Sequence, residues 1–255
     1  MRLIEQCNEV VIIGAGIAGL AAAKILEQNG ISFQLLEASH RIGGRAYSEK
    51  LSNNSWFDLG CSYLHNGTIN PFVSIANNMK FPIDINNGNL FDSNKTHYFS
   101  NGKKIDFGSS NPFDEAHNNF LKTIQNLQTD YALAETMDIK DPYFPVHCHL
   151  CANLNAADPD LISSKDYKAS IYKGPDYPVP KGFGNLIKEW AQNINVNLNT
   201  KITQINWENP VIKLKSSKGT VFAKKLILTV STGILSGGDI EIIPSFPKET
   251  LTAID

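Results

Sequence analysis

Charge of one sign is what this 255-residue sequence most plainly lacks: 23 Lys and Arg stand against 25 Asp and Glu, for a net charge of -2 and a pI near 6.3. That balance forms no basic footprint for nucleic acid or an anionic membrane, so neither is expected as a partner. Cysteine is scarce as well. Cys7, Cys61, Cys148 and Cys151 are too few and too scattered for a disulfide framework. Met1 to Glu9 contains an acid and no long apolar core, so it does not read as a secretory signal, and the apolar run after it is too short to span a bilayer. The expectation is a cytoplasmic protein. Asn53-Asn54-Ser55, Asn66-Gly67-Thr68 and Asn94-Lys95-Thr96 match the glycosylation pattern, as chance allows in an asparagine-rich chain, and mean little without a secretory route.

A hydrophobic content of 42% and a charged content of 19% are those of a globular protein, long enough to bury a core in one large domain or two small ones. His147-Cys148-His149-Leu150-Cys151 is the one cluster that could bind a metal or cycle as a dithiol. A zinc site usually needs a second ligand pair at a distance, and none is evident. The cluster otherwise reads as an incidental Cys/His-rich loop, and no metal is assigned.

The informative stretch is VVIIGAGIAGLAAAKILEQNGISFQLLEASHRIGGR, Val10 to Arg45. Val10 to Ile13 is a continuous β-branched run with the length of a buried parallel strand. Gly14-Ala15-Gly16-Ile17-Ala18-Gly19 follows without a linker. Gly14 permits a tight turn, Gly16 lets backbone approach a pyrophosphate, and Gly19 lets the next helix pack closely. Ile17, Leu20, Ala21 and Ile25 fall at helical spacing, with Gly30 as the stop. Phosphates would lie at that helix's N-terminus, where N–H groups and the dipole favour an anion. A second strand, Ser32 to Leu36, ends in Glu37, where a carboxylate can take the ribose hydroxyls and disfavour a 2'-phosphate. The bland alternative is a tight turn in an α/β protein, with Glu37 a solvated strand end.

Ala38-Ser39-His40-Arg41-Ile42-Gly43-Gly44-Arg45 adds a glycine pair that lets backbone lie against a ligand and an arginine able to neutralise a diphosphate; otherwise it is a flexible connection with a surface arginine. Together, VIIGAGIAGLAAAKIL and LLEASHRIGGR resemble the N-terminal signature of the flavin-dependent amine oxidase superfamily. The resemblance implies FAD. It also places Ala15 and Ala38, with Gly14, Gly16, Gly19, Glu37, Gly44 and Arg45, in the cofactor-binding set.

Trp56 to His65, closing with Asn70-Pro71, is similar to the family's strand and loop beneath the flavin. On that resemblance, backbone around Ser62 and Tyr63 touches the isoalloxazine side. His65 sits where polyamine-oxidase-like members carry a histidine facing the substrate, a role suited to a side chain that titrates near neutrality. The alternative is a histidine hydrogen-bonded within its loop. Cys61 departs from the usual Gly or Ala, Ser39 from an arginine, and His40 from an acid.

From Asn70 to about Asp176 the chain is polar and hard to read. Asn101-Gly102 within Thr96 to Phe107 signals a hairpin, and Phe113 to Ala134 carries helical spacing. Val179 to Ala191 resembles the family's glycine-then-helix return to the cofactor domain. Strands are expected at Val196 to Leu198, Ile202 to Trp207, Val211 to Lys215, Thr220 to Ala223 and Lys225 to Val230. In relatives, backbone at the position of Ile202 hydrogen-bonds adenine; otherwise Ile202 is an ordinary sheet residue. Leu226 to Leu235 and Ile243 to Pro247 resemble, in turn, the strand and turn near the flavin and the segment re-entering the substrate domain.

The fold expected is α/β: a Rossmann-like FAD-binding domain with an inserted α+β substrate domain, C-terminally truncated relative to the family. The resemblance divides the chain into 1–75 and 181–240 for the cofactor domain, 76–180 for the insertion, and 241–255 as a return to the insertion. Longer members supply a flavin-proximal lysine, the far wall of the substrate domain and a segment closing over the flavin. The activity implied is oxidation of a primary or secondary amine, polyamine-like on the strength of Ser62-Tyr63-Leu64-His65, through hydride transfer to flavin and reoxidation by dioxygen. A second polypeptide supplying the missing half, or a homodimer, is the partner expected. The alternatives are a non-catalytic FAD-binding fragment or half of a split oxidase. A desaturase or protoporphyrinogen oxidase shares the glycine signature but fits the Asp58 to His65 loop less well.

Overall fold

The computed structural model describes residues 7–88, 97–105, 112–170 and 174–254. Asn94-Lys95-Thr96, both ends of the Thr96 to Phe107 stretch and most of Met1 to Glu9 lie outside them. Two compact units divide the chain: Met1–Gly88 with Asp176–Asp255, and Asn89–Pro175.

The first unit grows from strand β1, Cys7–Ile13, whose last four residues are all buried. Helix α1, Ile17–Gln28, follows the glycine turn, and strand β2, Phe33–Leu36, lies parallel to β1. Because successive side chains of a strand point to opposite faces, an unbroken apolar run needs cover on both. Val10 and Ile12 enter a core with Leu20, Ala23, Leu35 and Leu186. Val11 and Ile13 enter a second core with Leu36, Ile202, Ile205 and Leu214. Each such side chain stabilises the fold by about 1.5–3 kcal/mol relative to exposure.

The phase of α1 differs from the expected one in a single respect. Its buried face runs through Gly19, Leu20 and Ala23, with Leu26 partly covered, whereas Ile25 is 59% exposed. Gly19 must face the turn that precedes the helix, and that requirement sets the rotation. The stop is as expected: Asn29 caps the helix and Gly30 takes a φ of +67°.

Short elements follow: antiparallel strands β3, Ser48–Lys50, and β4, Trp56–Asp58; strand β5, Tyr63–Leu64; and helix α2, Pro71–Met79. Asn70 caps α2 by accepting from the Phe72 N–H at 3.0 Å, and proline occupies the first turn, where a missing donor costs nothing.

The second unit opens with the hairpin β6, Tyr98–Ser100, and β7, Lys103–Ile105. Asn101 and Gly102 both take positive φ, +50° and +74°, as a two-residue hairpin turn needs. Helix α3, Pro112–Asn126, buries Phe113, Phe120 and Ile124 along one stripe. It ends well before Ala134, where helical spacing alone had carried it. The Ser164 N–H donates to the Tyr131 carbonyl at 2.9 Å, the Tyr131 N–H donates to the Ser164 hydroxyl at 3.0 Å, and Asp130 accepts from Ser163 and Lys165, so the chain after 126 is drawn out of the helix. Those hydrogen bonds, the Lys165 N–H first, hold the Asp130 carboxyl below its usual range.

His147 to Cys151 is helical, not a loop: it lies in helix α4, Phe144–Asn155, and helix α5, Ser164–Ser170, follows. His147 and Cys151, four residues apart, share the buried face, with Cys151 packing on Phe120, Ile124 and Leu133. Among the described residues no group of three or more His, Cys, Asp and Glu is placed to hold a metal.

The chain re-enters the first unit through strand β8, Tyr177–Pro178, antiparallel to β5, and helix α6, Phe183–Trp190. Strands β9, Ile202–Asn206, β10, Ile212–Ser216, β11, Gly219–Leu228, and β12, Glu241–Ile243, complete a six-stranded sheet of order β12-β9-β10-β11-β1-β2. The two strands expected between Thr220 and Val230 are one, β11, which changes partner along its length. Gly219 to Ala223 pair antiparallel with β10, and Phe222 to Leu228 pair parallel with β1. Residues 76–88 and 241–254 pack with the first unit, where β12 runs parallel to β9. Helices α7, Thr232–Ser236, and α8, Lys248–Ile254, flank β12 in sequence. Among the described residues no helix is long and apolar enough to cross a membrane.

The second unit carries a pH dependence. Burial holds the His147 and His117 imidazoles below the usual histidine value, and for His117 the neighbouring His147 adds to it, against weaker opposition from Asp114; Asp141 opposes it at His147. The His147 Nε2 is buried without a hydrogen-bond partner. Unfolding restores a value of about 6.5, so below that pH the unfolded chain binds more protons. Stability is therefore full above about pH 6.5 and falls as pH drops toward the folded values. Hydrogen exchange of α3 and α4, corrected for intrinsic rates, is expected to show weaker protection at about pH 5.5 than at about pH 7.5, with a shallower dependence in His147→Phe. Equal protection at both pH values contradicts the assignment.

Candidate functional site

The predicted residues converge at the carboxyl ends of β1 and β2. Gly14 turns the chain with a φ of +100°, a conformation that side chains with a Cβ rarely adopt. Its N–H donates to the Leu36 carbonyl at 2.8 Å, tying the turn to β2. At Gly19 a Cβ would stand 1.9 Å from the Gly14 carbonyl oxygen, so only a glycine lets α1 start this close to β1. Gly16 is the opposite case. It caps α1 with φ -71° and no side-chain hydrogen bond, and a Cβ there would meet nothing within 4 Å. The space in front of the helix N-terminus is open, and N–H groups and the dipole direct it toward an anion.

Glu37 follows β2 directly. Its Oε2 accepts from the Ala15 N–H at 2.6 Å and its Oε1 from the Ser39 N–H at 2.8 Å. These two bonds fix the plane of the carboxylate beside the glycine turn, and each oxygen retains acceptor capacity for a hydroxyl. Ala38 is exposed at the rim. Ser39 closes its own turn: its hydroxyl donates to the Arg41 carbonyl at 2.7 Å.

The Gly43-Gly44 pair takes φ of +97° and +57°. The Gly43 N–H donates to the Ala15 carbonyl at 2.8 Å, and a Cβ on Gly44 would lie 3.3 Å from the Gly16 Cα. The second glycine turn thus lies directly against the first. Arg41 braces it, donating to the Gly44 carbonyl at 2.8 Å with its guanidinium 4.1 Å from the centre of the Tyr47 ring. Arg45 is exposed.

Ile202 opens β9, just past a segment that borders Glu37. Residues 197–200 run beside the end of β2: Glu37 donates to the Asn197 carbonyl at 3.0 Å and Thr200 donates to the Glu37 carbonyl at 2.8 Å. Two residues on, the Ile202 side chain is buried in the core with Leu36.

Ser62, Tyr63 and His65 form a neighbouring group. The Cys61 N–H donates to the Arg45 carbonyl at 3.0 Å, and a Cβ on Gly60 would stand 1.9 Å from that carbonyl oxygen, so β5 starts tight against the second glycine turn. His65 is half-exposed, and its Nδ1 lies 3.1 Å from Asp176 Oδ1.

Three further residues hold this arrangement through bonds that are not legible in the sequence. The Thr229 hydroxyl shares its proton between the Ile13 and Gly14 carbonyls at 2.9 and 3.0 Å, sealing the first turn from β11. Asp58 accepts from Ser48 and, with both oxygens, from the Phe183 N–H at 2.9 and 3.1 Å, capping α6, whose own N-cap is Gly182. Asp176 is the third. A hollow of about 810 Å3 beside Glu9, Gly30, Ser32 and Lys225 lies at the opposite end of the strands and holds none of the predicted residues.

A parallel βαβ unit with a glycine turn open at the helix N-terminus and an acid at the end of β2 defines a dinucleotide-binding protein. The family profile for flavin-containing amine oxidoreductases matches residues 17–143 and 141–255. The chain belongs to that family, whose cofactor is FAD. It is 25% identical to polyamine oxidase 5 of Oryza sativa subsp. japonica over 96% of this chain and 55% of that one. Protein FLOWERING LOCUS D of Arabidopsis thaliana is 25% identical over 97% of this chain and 34% of that one. Cyclohexylamine oxidase from Brevibacterium oxydans has a solved structure that superimposes with a TM-score of 0.75 at 18% identity, over 97% of this chain and 63% of that one. The fold is therefore shared. The chain spans about half the length of the curated polyamine oxidases it matches.

Gly16 and Gly19 separate fold from ligand. Gly19→Ala is expected to destabilise the first unit by about 1–3 kcal/mol, because the helix must retreat from the turn. Gly16→Ala, facing open space at an ordinary φ but at the N-cap, where alanine serves less well than glycine, is expected to cost no more than about 1 kcal/mol and less than Gly19→Ala. Urea unfolding followed by tryptophan fluorescence checks both; equal losses contradict the geometry.

Proposed function

We propose that this chain is the FAD-binding portion of an amine oxidase acting on a primary or secondary amine, with a polyamine-like substrate. The observation that carries the proposal is the convergence of the two glycine turns and the Glu37 carboxylate at the end of β1. In this reading the Gly14 to Gly19 turn and the N-terminus of α1 face the pyrophosphate. Glu37 accepts from the ribose hydroxyls through the lone pairs that Ala15 and Ser39 leave open. Gly44 and Arg45 flank the diphosphate, and backbone at Ile202 meets the adenine. Ala38 lines the rim beside Glu37. Ser62 and Tyr63 lie along the isoalloxazine, and His65 binds the amine or takes its proton.

The chemistry that bound FAD would supply is uptake of hydride from the α-carbon of a neutral amine, after which dioxygen takes the two electrons, restoring the oxidised flavin and leaving as hydrogen peroxide, while the imine hydrolyses. The chain's own contribution is to hold the two partners in register and to keep the amine deprotonated.

A partner requirement forms part of the same proposal, and two observations support it. The chain covers 55% of its polyamine oxidase relative. An apolar hollow of about 260 Å3, lined by residues including Ile205, Trp207, Leu228 and Phe246, opens on the sheet. In this reading that surface receives a second polypeptide supplying the missing half of an oxidase, or a second copy of this chain.

The test is the visible spectrum of the purified chain, alone and with the remaining portion supplied. A yellow chain whose flavin is bleached anaerobically by a polyamine or monoamine only in the second preparation is the expected result. Gly16→Ala, stable by the argument above, is expected to lose at least about tenfold in FAD affinity. Chains colourless in both preparations would overturn the proposal.

A further inference from the structure

His65 is held through both its backbone and its ring. Its carbonyl accepts from the Asn70 side-chain amide at 2.8 Å, and the other end of that amide caps α2. Its ring meets Asp176. The ladder between β5 and β8 places Leu64 opposite Tyr177, so the next antiparallel step sets His65 opposite Asp176. Nδ1 to Oδ1 is 3.1 Å. The same Oδ1 accepts the Asn66 N–H at 3.2 Å. A Cβ on Gly67 would collide with the Tyr177 ring at 2.3 Å, so glycine lets the loop lie flat on the strand that carries Asp176. The Asp176 side chain is 13% exposed and that of His65 44% exposed: the carboxylate is withdrawn while the imidazole reaches toward solvent.

A neutral imidazole has one protonated nitrogen and one lone pair, and the hydrogen bond at one ring nitrogen decides which is which. A carboxylate accepts only, so it selects the proton on the nitrogen that faces it. We infer that Asp176 is the positioning residue of His65: it holds the proton on Nδ1, orients the ring, and makes Nε2 the nitrogen that offers a lone pair to an amine. The same division of labour orients histidine bases and ligands generally. This rests on His65 facing the amine, as proposed above.

The tautomer is readable without cofactor or substrate. Long-range proton–nitrogen spectra of the full chain with 15N-histidine, at about pH 8.5 where an ordinary imidazole is neutral, give the state of each ring nitrogen. His65→Gln assigns the signals. In the wild type, Nδ1 is expected to bear the proton and Nε2 the lone pair. Asp176→Ala is expected to reverse this toward the Nε2–H form. Where the alanine chain does not fold, Asp176→Asn keeps the shape without the charge, and the Nδ1–H fraction is expected to fall. An Nε2–H ring in the wild type, or a His65 signature unmoved in the folded variants, overturns the inference. A Nδ1–H ring in a chain that never oxidises an amine leaves this inference standing and overturns the oxidase reading alone.

Discussion

The contact between the Gly19 backbone and the Gly14 carbonyl is the constraint on which the rest depends. A Cβ at Gly19 would fall 1.9 Å from that oxygen, so the absence of a side chain lets α1 begin where β1 ends. The rotation of α1 follows, burying Leu20 and Ala23 and leaving Ile25 in water. The helix N-terminus consequently opens beside Gly16. Glu37 then accepts from the Ala15 N–H, and the Gly43-Gly44 turn donates to the Ala15 carbonyl, one residue into the same turn. Removing the tight start of the helix would displace all of them together, which ties the stability of the first unit to its capacity for a ligand.

Legibility in the sequence follows the range of the interaction. The glycine turn, its helix, the second strand and Glu37 were readable because each is a local feature with a fixed offset from the last. So was the Asn101-Gly102 hairpin, which needs only two residues able to take positive φ. Contacts made across the fold were not. Thr229 reaches Gly14 over 215 residues, and Asp58 caps a helix 125 residues away. Asp176, which meets His65, gave no sign in a stretch read only as polar.

Elsewhere tertiary hydrogen bonds overrode local periodicity. Helical spacing runs past Leu127, but the bonds from Ser163, Ser164 and Lys165 to Asp130 and Tyr131 stop α3 at Asn126. The Cys/His cluster looked like a loop because a helix with two histidines and two cysteines has a weak apolar pattern; its buried face is His147 and Cys151. In β11 one strand was read as two, since Lys224 and Lys225 interrupt the apolar alternation at the point where the strand passes from an antiparallel to a parallel neighbour.

In the proposed function the dinucleotide is held at the carboxyl ends of β1 and β2. Amide chemical shifts of the 15N-labelled chain during titration with FAD test it most directly. The largest changes are expected on residues 14–19, 37–45 and 200–202. Changes centred on Glu9, Gly30 and Lys225 at the other end of the sheet, or none at saturating FAD, would contradict it.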